Sequence, residues 1–381
     1  MGSIARWLDA RYDQMMELLK ELVDQDSGSY DKSGVDAAGI ILQRFLIDQG
    51  IACERISLPN QGDCFRAIVP GQTEGPPVML LGHRDTVFPK GEAARRPFGI
   101  AGDRAYGPGV ADMKAGLVMN AFVLAAFAAT GGAPLPLVGL FTGDEEIGSP
   151  GSRPLIEREA RQAGYVFNAE PGRISGNVVT GRRGGIFFRC DIAGKAAHAG
   201  LNFDEGRSSI LAVARKIERW MTLPQQFGGI TVNVGTVAGG ISVNTVAPHA
   251  TCDIDLRYER LEDRDRLIAA VEAIASQPSV DDTAAEIRIL GEFMPMTQSP
   301  ASKALFERYV RAASAIGLDV DGEFTRSCAD SGLTAAVGTP TLCAVGPVGG
   351  KAHSPEEYVE LSTLVPRAQA LALTIAALTA D

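Results

Sequence analysis

Two short motifs could hold a metal ion between them. His83 ends the apolar run Pro-Val-Met-Leu-Leu-Gly and is followed, one residue on, by Asp85. In an extended chain residues two apart face the same side, so Asp85 can orient the imidazole and fix its tautomer. Asp112 lies in Gly-Pro-Gly-Val-Ala-Asp just ahead of a helical pattern, where a carboxylate could cap the helix or bind a cation. Asp144, Glu145 and Glu146 end a further apolar run. Three adjacent carboxylates repel one another unless something cationic compensates. A metal would take one Glu as ligand and leave the other free as a base, provided a turn near Gly148 and Pro150 lets them converge. Glu170 follows another strand-like stretch, in Phe-Asn-Ala-Glu-Pro-Gly. His353 lies in a glycine-rich loop, Gly-Pro-Val-Gly-Gly-Lys-Ala-His-Ser-Pro, and His198 in Gly-Lys-Ala-Ala-His-Ala-Gly. Each alone has a plain reading: a surface histidine, a helix cap, a solvated acidic loop. Together they point to metal chemistry. His249, the fourth histidine, has no evident partner and reads as structural.

Apolar periodicity supplies the elements that must position these side chains. One N-terminal helix is expected over 4–23 and a second over 34–49, stopped by Gly50. Strands are expected at 64–69 and 78–82, the latter apolar enough to be buried on both faces. A helix at 114–129, a strand at 136–142, a helix at 152–163 and a strand at 165–169 come next. Such alternation predicts an α/β domain with a mixed, largely parallel sheet and helices on both faces. Open sheets of this kind place ligands at the carboxyl ends of their strands, where Glu170 falls.

The rhythm changes around 181–185. Strand 186–192, helix 209–221, strands 230–238 and 250–258, helix 261–275 and strand 285–290 give a β-α-β-β-α-β order. That is the ferredoxin-like α+β arrangement. A helix at 303–316, a strand at 340–344 and a helix at 362–379 complete the chain. The expected division is a catalytic domain, 1–181 with 295–381, interrupted by a smaller one at 182–294.

With 381 residues, two domains are the natural expectation. A net charge of −10 argues against a nucleic-acid partner and offers no basic membrane anchor. The six cysteines form no C-x-x-C pair, so free thiols in a reducing compartment are expected. No signal peptide is visible, and the protein reads as cytoplasmic.

In this order the motifs resemble the zinc-dependent aminoacylase/carboxypeptidase family of dinuclear exopeptidases and deacylases. They run through Gly-His83-Arg-Asp85-Thr-Val, Tyr-Gly-Pro-Gly-Val-Ala-Asp112-Met-Lys, Asp-Glu145-Glu146-Ile-Gly-Ser, Glu170-Pro, Gly-Lys-Ala-Ala-His198-Ala-Gly, Asn244 and Ala-His353-Ser-Pro. The glutamate carboxypeptidases of the carboxypeptidase G type are the most similar branch, and the resemblance covers the chain from about Asp36 onward. It implies two Zn2+ per subunit (Co2+ or Mn2+ as substitutes), His83 and Glu170 on one, Glu146 and His353 on the other, Asp112 bridging. It implies Glu145 as general base toward a metal-bound water, Asp85 in support, and often a cis peptide after the bridging Asp. The inserted unit becomes a lid and homodimerisation domain. Its His198 stabilises the oxyanion, and Asn244 and Arg257 bind the substrate's free carboxylate, although an outward strand charge is the plainer reading of Arg257.

Two departures stand out. Arg84 puts a charge where many relatives are apolar, which predicts an altered pocket rim. Arg326-Ser-Cys-Ala-Asp330 replaces a glycine-rich stretch beside the substrate pocket, and no further basic residue for a glutamate side chain is evident. The expected activity is hydrolysis of an amide bond next to a free C-terminal carboxylate, on a small peptide or N-acyl amino acid. An N-acyl-amino-acid deacylase or dipeptidase of the same family is the alternative; a non-catalytic binding or assembly paralogue is the alternative of another class.

Overall fold

Every residue of the strands Val78–His83 and Leu137–Thr142 is buried, which accounts for their unbroken apolar sequences. They form the middle of an eight-stranded sheet in a computed structural model that describes residues 2–378. Thr379, the expected end of the last helix, lies outside the described residues. The sheet order is Ala52–Ile56, Cys64–Val69, Leu137–Thr142, Val78–His83, Tyr165–Asn168, Thr341–Cys343, Val178–Arg182, Gly322–Thr325. The four central strands are parallel, whereas Cys64–Val69 runs antiparallel to both its neighbours. This is the mixed, largely parallel sheet expected.

Both faces are covered. Leu342 packs into the main apolar core while its neighbour Cys343 joins a separate cluster with Val179, Met296 and Ala329. Successive strand residues point to opposite faces, so the two clusters lie on opposite sides of the sheet. The helix Ala115–Ala129 is buried continuously from Ala115 to Phe127 and packs on the central strands. Residues 110–129 are long and apolar enough to cross a membrane, but 94% of the apolar 18-residue window within that stretch is buried inside the protein, the mark of a core helix.

The chain divides into two compact units, Met1–Arg182 with Met296–Asp381, and Arg183–Pro295. In the second unit four antiparallel strands run in the order Thr231–Gly239, His249–Tyr258, Gly184–Ala193, Ala284–Phe293. That is the ferredoxin-like order. Ile186, Phe188, Cys190 and Ile192 alternate into a core beneath the helices Ser209–Trp220 and Arg264–Ser276.

One expectation is corrected. The single helix over 4–23 is two, Ser3–Asp9 and Tyr12–Val23. Arg11 leaves helical geometry at φ −124°, stacks its guanidinium 3.7 Å from the Trp7 ring centroid and donates to Trp7 O at 3.1 Å, closing the first helix. Periodicity also gave no sign of a small antiparallel sheet, Gly99–Ala101, Arg104–Tyr106, Tyr358–Glu360, Gly349–Gly350. It brings the approach to Asp112 beside the segment just beyond His353.

Candidate metal centre

His83 is the last residue of its strand, so its ring emerges at the sheet's carboxyl edge. Its Nε2 lies 3.2 Å from Asp112 Oδ1, 3.6 Å from Glu170 Oε1 and 3.8 Å from Glu145 Oε2. His353 Nε2 lies 3.3 Å from Asp112 Oδ2 and 3.1 Å from Glu146 Oε2. Asp112 thus addresses a different histidine with each oxygen. The donor atoms fall into two groups, His83 with Glu145 and Glu170, and Asp112 with Glu146 and His353, each within 4.8 Å.

Local backbone explains the convergence. Glu145–Ile147 form a single tight helical turn, followed by left-handed Gly148 (φ 85°) and Ser149 (φ 54°). The Asp144 carboxylate holds this turn by accepting from Gly151 N at 2.6 Å and Ser152 N at 3.1 Å. Asp85 fastens it to the neighbouring strand: Oδ1 accepts from Glu145 N and Oδ2 from Glu146 N, both at 3.1 Å. Asp85 Oδ1 also sits 3.4 Å from His83 Nδ1. Ser29, which no sequence motif singles out, donates to Asp85 Oδ2 at 2.7 Å. The Asp112–Met113 peptide is cis, and His353 adopts a left-handed backbone at φ 62°.

In the second unit His198 and Asn244 share one loop pair, joined by Ala199 N donating to Asn244 O at 3.0 Å. Gly200 N and Leu201 N both donate to His198 Nδ1, at 3.1 and 3.2 Å. With Nδ1 accepting, the neutral ring carries its proton on Nε2. Arg257 directs its fork at Asp255, Nε to Oδ1 at 2.6 Å and Nη2 to Oδ2 at 3.0 Å. His249 is exposed, with its Nε2 3.9 Å from Asp191 Oδ1.

A family profile, Peptidase family M20/M25/M40, matches residues 79–377. Carboxypeptidase G2 of Pseudomonas sp. (strain RS-16) is 30% identical over 362 residues, covering 93% of this chain and 86% of that protein. The chain belongs to this peptidase family. Another relative, acetylornithine deacetylase of Edwardsiella ictaluri (strain 93-146), is 26% identical over 372 residues, covering 90% and 91%. Among solved structures, the M20 family metallo-carboxypeptidase Sso-CP2 from Sulfolobus solfataricus matches with a TM-score of 0.79 at 16% identity, covering 95% of this chain and 98% of that one. Membership of M20/M25/M40 makes the chain a hydrolytic enzyme acting on amide bonds, in a metal-dependent family that generally uses zinc.

The site's own chemistry fits metal. Nitrogen and carboxylate donors without thiolate suit a catalytic zinc site. Glu170 Oε1 is buried without a hydrogen-bond partner, a donor atom awaiting a cation. The same acids also hold protons on their neighbours. Burial opposes charging His83, yet Glu145, Asp112, Asp85 and Glu170 together hold its pKa well above the usual imidazole value. Hydrogen bonds to Asp112 and Glu146 push His353 up to about 10. Burial and the nearby Asp112 charge raise Glu146 to about 7. Burial, reinforced by Glu170, Asp330 and Glu146 against the pull of His83, holds Glu145 well above the carboxylate range. Asp112 stays well below it: burial acts against its charge, but His353 and His83 prevail.

Arg84 does not reach a pocket rim. It is 2% exposed and turned into the protein. Nε donates to Thr142 O at 3.0 Å, Nη1 to Val35 O at 3.4 Å and Nη2 to Asp63 O, and the guanidinium lies 5.3 Å from the Phe65 ring centroid. Gly39 makes room for it, since a Cβ there would stand 1.8 Å from Nη1. A glycine inside the helix Lys32–Asp48 is thereby explained. Arg84 pins that helix to the strand ends carrying His83 and Glu145. Arg84→Met strands buried carbonyls and is expected to destabilise the fold by about 2–3 kcal/mol; a denaturant midpoint equal to wild type would refute this role.

Proposed function

We propose that this chain is a di-zinc exopeptidase of the glutamate carboxypeptidase kind, hydrolysing the amide bond beside the free carboxylate of a peptidyl or N-acyl amino acid. The carrying observation is Asp112 reaching His83 and His353 with separate oxygens, with buried Glu145 alongside. His83 and Glu170 would hold one ion, Glu146 and His353 the other, with Asp112 shared; Co2+ or Mn2+ suits the same donors. When bound, the metals supply Lewis acidity that acidifies water and polarises the scissile carbonyl. Glu145 accepts a proton from the attacking water and passes it to the leaving amine. Its burial suits it to carry that proton. Asp85 keeps His83 and the Glu145–Glu146 turn in register. His198, with its proton on Nε2, donates to the developing oxyanion. Asn244 and Arg257 take the substrate's carboxylate, Arg257 by giving up the two-point pair it makes with Asp255.

A second reading, an N-acyl-amino-acid deacylase or dipeptidase, is favoured by the Arg326–Asp330 departure. Arg182 Nη1 donates to Ser327 Oγ at 2.8 Å and Cys328 O at 3.1 Å, so this stretch is tied to buried charge near Glu170 rather than left as an open glycine loop. A panel of acyl-glutamates, acetyl-amino acids and dipeptides with zinc supplied separates the two. Chelator-sensitive release of glutamate at the highest kcat/KM is expected. Tenfold preference for acetyl-amino acids or dipeptides would install the second reading, and no chelator-sensitive hydrolysis would remove both.

A homodimer through the second unit is supported by its edge strand Thr231–Gly239, whose outer side has no strand partner among the described residues. Exposed Val237, Ile241, Val243, Ile210 and Leu211 belong to the same unit; sedimentation as a monomer would exclude it. The six free cysteines support a reducing, cytoplasmic setting.

A further inference from the structure

Glu357 is wholly buried and takes no part in the proposed chemistry. Its Oε1 accepts from Ala111 N and from Asp112 N, both at 2.9 Å, and its Oε2 from Gly109 N at 3.1 Å. These donors belong to a backbone that no regular ladder could satisfy. Gly109 is left-handed at φ 73°, and Asp112 leaves helical geometry at φ −113°, ψ 90°. A buried N–H without an acceptor is costly, so the loop can hold this course only while something accepts from it. Glu357 accepts three times.

Its place in the chain adds to this. Glu357 is four residues beyond His353 and directly precedes Tyr358–Glu360, which pairs with Arg104–Tyr106 ahead of the Asp112 loop. The segments carrying Asp112 and His353 are thus joined by strand pairing and then locked by one carboxylate. The geometry points to Glu357 as a positioning residue that clamps the backbone at 109–112, aims the Asp112 carboxylate, and so governs metal affinity at the Asp112–Glu146–His353 set. It rests on the ligand roles proposed for those side chains. Glutamine can keep only one oxygen toward the donors, so Glu357→Gln is the partial loss and Glu357→Ala the full one.

The test is zinc content and competition titration against a chromophoric chelator, with Co2+ absorption spectra and circular dichroism on the same samples. Wild type is expected to hold two zinc ions per chain. Glu357→Ala should weaken one of them about 10–100-fold and alter the cobalt spectrum, and Glu357→Gln should do so about three- to tenfold. Affinities within about twofold of wild type and an unchanged cobalt spectrum in Glu357→Ala overturn the proposal. If that variant does not fold, the glutamine variant decides on the same terms. Should wild type bind no zinc, the ligand roles fail, and amide hydrogen exchange judges the clamp separately. Slow exchange at Gly109, Ala111 and Asp112 that quickens in Glu357→Gln supports it; equal exchange in both chains overturns it.

Discussion

Glu145→Gln is expected to lower kcat by about 10²–10⁴-fold while the protein keeps its full metal content. The amide fills the same volume and leaves Asp85 still accepting from the backbone N–H of residue 145, so the turn is preserved. What disappears is the group that can hold a proton. The substitution separates two roles that the geometry alone leaves adjacent, because Glu145 Oε2 lies only 3.8 Å from His83 Nε2. Loss of one zinc ion in the variant would make Glu145 a ligand instead, and near-normal kcat would remove it as the base. Either result is readable from one preparation by metal analysis and a progress curve.

Removing the metals is the second large effect. Chelation should abolish hydrolysis and zinc restore it, and reloading should expel protons. Without metals, hydrogen bonds to Asp112 and Glu146 hold His353 near 10, and burial with the Asp112 charge raises Glu146 to about 7. A metal needs the imidazole neutral and the carboxylate ionised, so protons compete with it. Apparent zinc affinity should therefore rise with pH, about tenfold per pH unit for each proton released. At the Asp112–Glu146–His353 set one proton is expected above pH 7, from His353, and close to two below it, and His83, whose pKa is also held high, adds one at the other ion. Calorimetry in buffers of differing ionisation enthalpy counts them, and affinity independent of pH between 6 and 8 would contradict the assignment. The metal-free fold carries the opposite sign at His353. Its raised pKa contributes stability that is fully present below about pH 6.5 and is lost as pH rises through about 10.

The framework of the site was readable because it arises from periodicity. Val78–His83 and Leu137–Thr142 are apolar for want of any solvent-facing side, so the polar residues at their carboxyl ends mark the edge where an open sheet places its ligands. His83, Glu145 and Glu146 announced themselves by that position. Backbone recognition was hidden. Nothing in the spelling of Ser-Pro-Glu-Glu-Tyr marks Glu357 as the acceptor of three distant N–H groups, and Ser29 joins Asp85 only through tertiary packing. Arg84 misled for a related reason. A charged residue next to a strand-end histidine suggests a surface, but carbonyls of three segments and the space left by Gly39 make an interior place for it. The break at Ala10–Arg11 was hidden too, since apolar spacing continued across it while the backbone did not.

The parallel pairing of Tyr165–Asn168 with Thr341–Cys343 has a consequence for how the enzyme comes into being. These neighbours at the heart of the sheet lie on either side of the whole inserted unit, so joining them closes a very long loop. The entropic cost of that closure grows only slowly with length, but it slows the search. The inserted unit has its four strands and two helices within its own span, and can order itself while the sheet around it is still incomplete. Its compactness then shortens the effective distance between the two halves of the larger sheet. A segment that divides the gene product in two also returns the chain to where it left, since Arg182 pairs with Met296 across its ends.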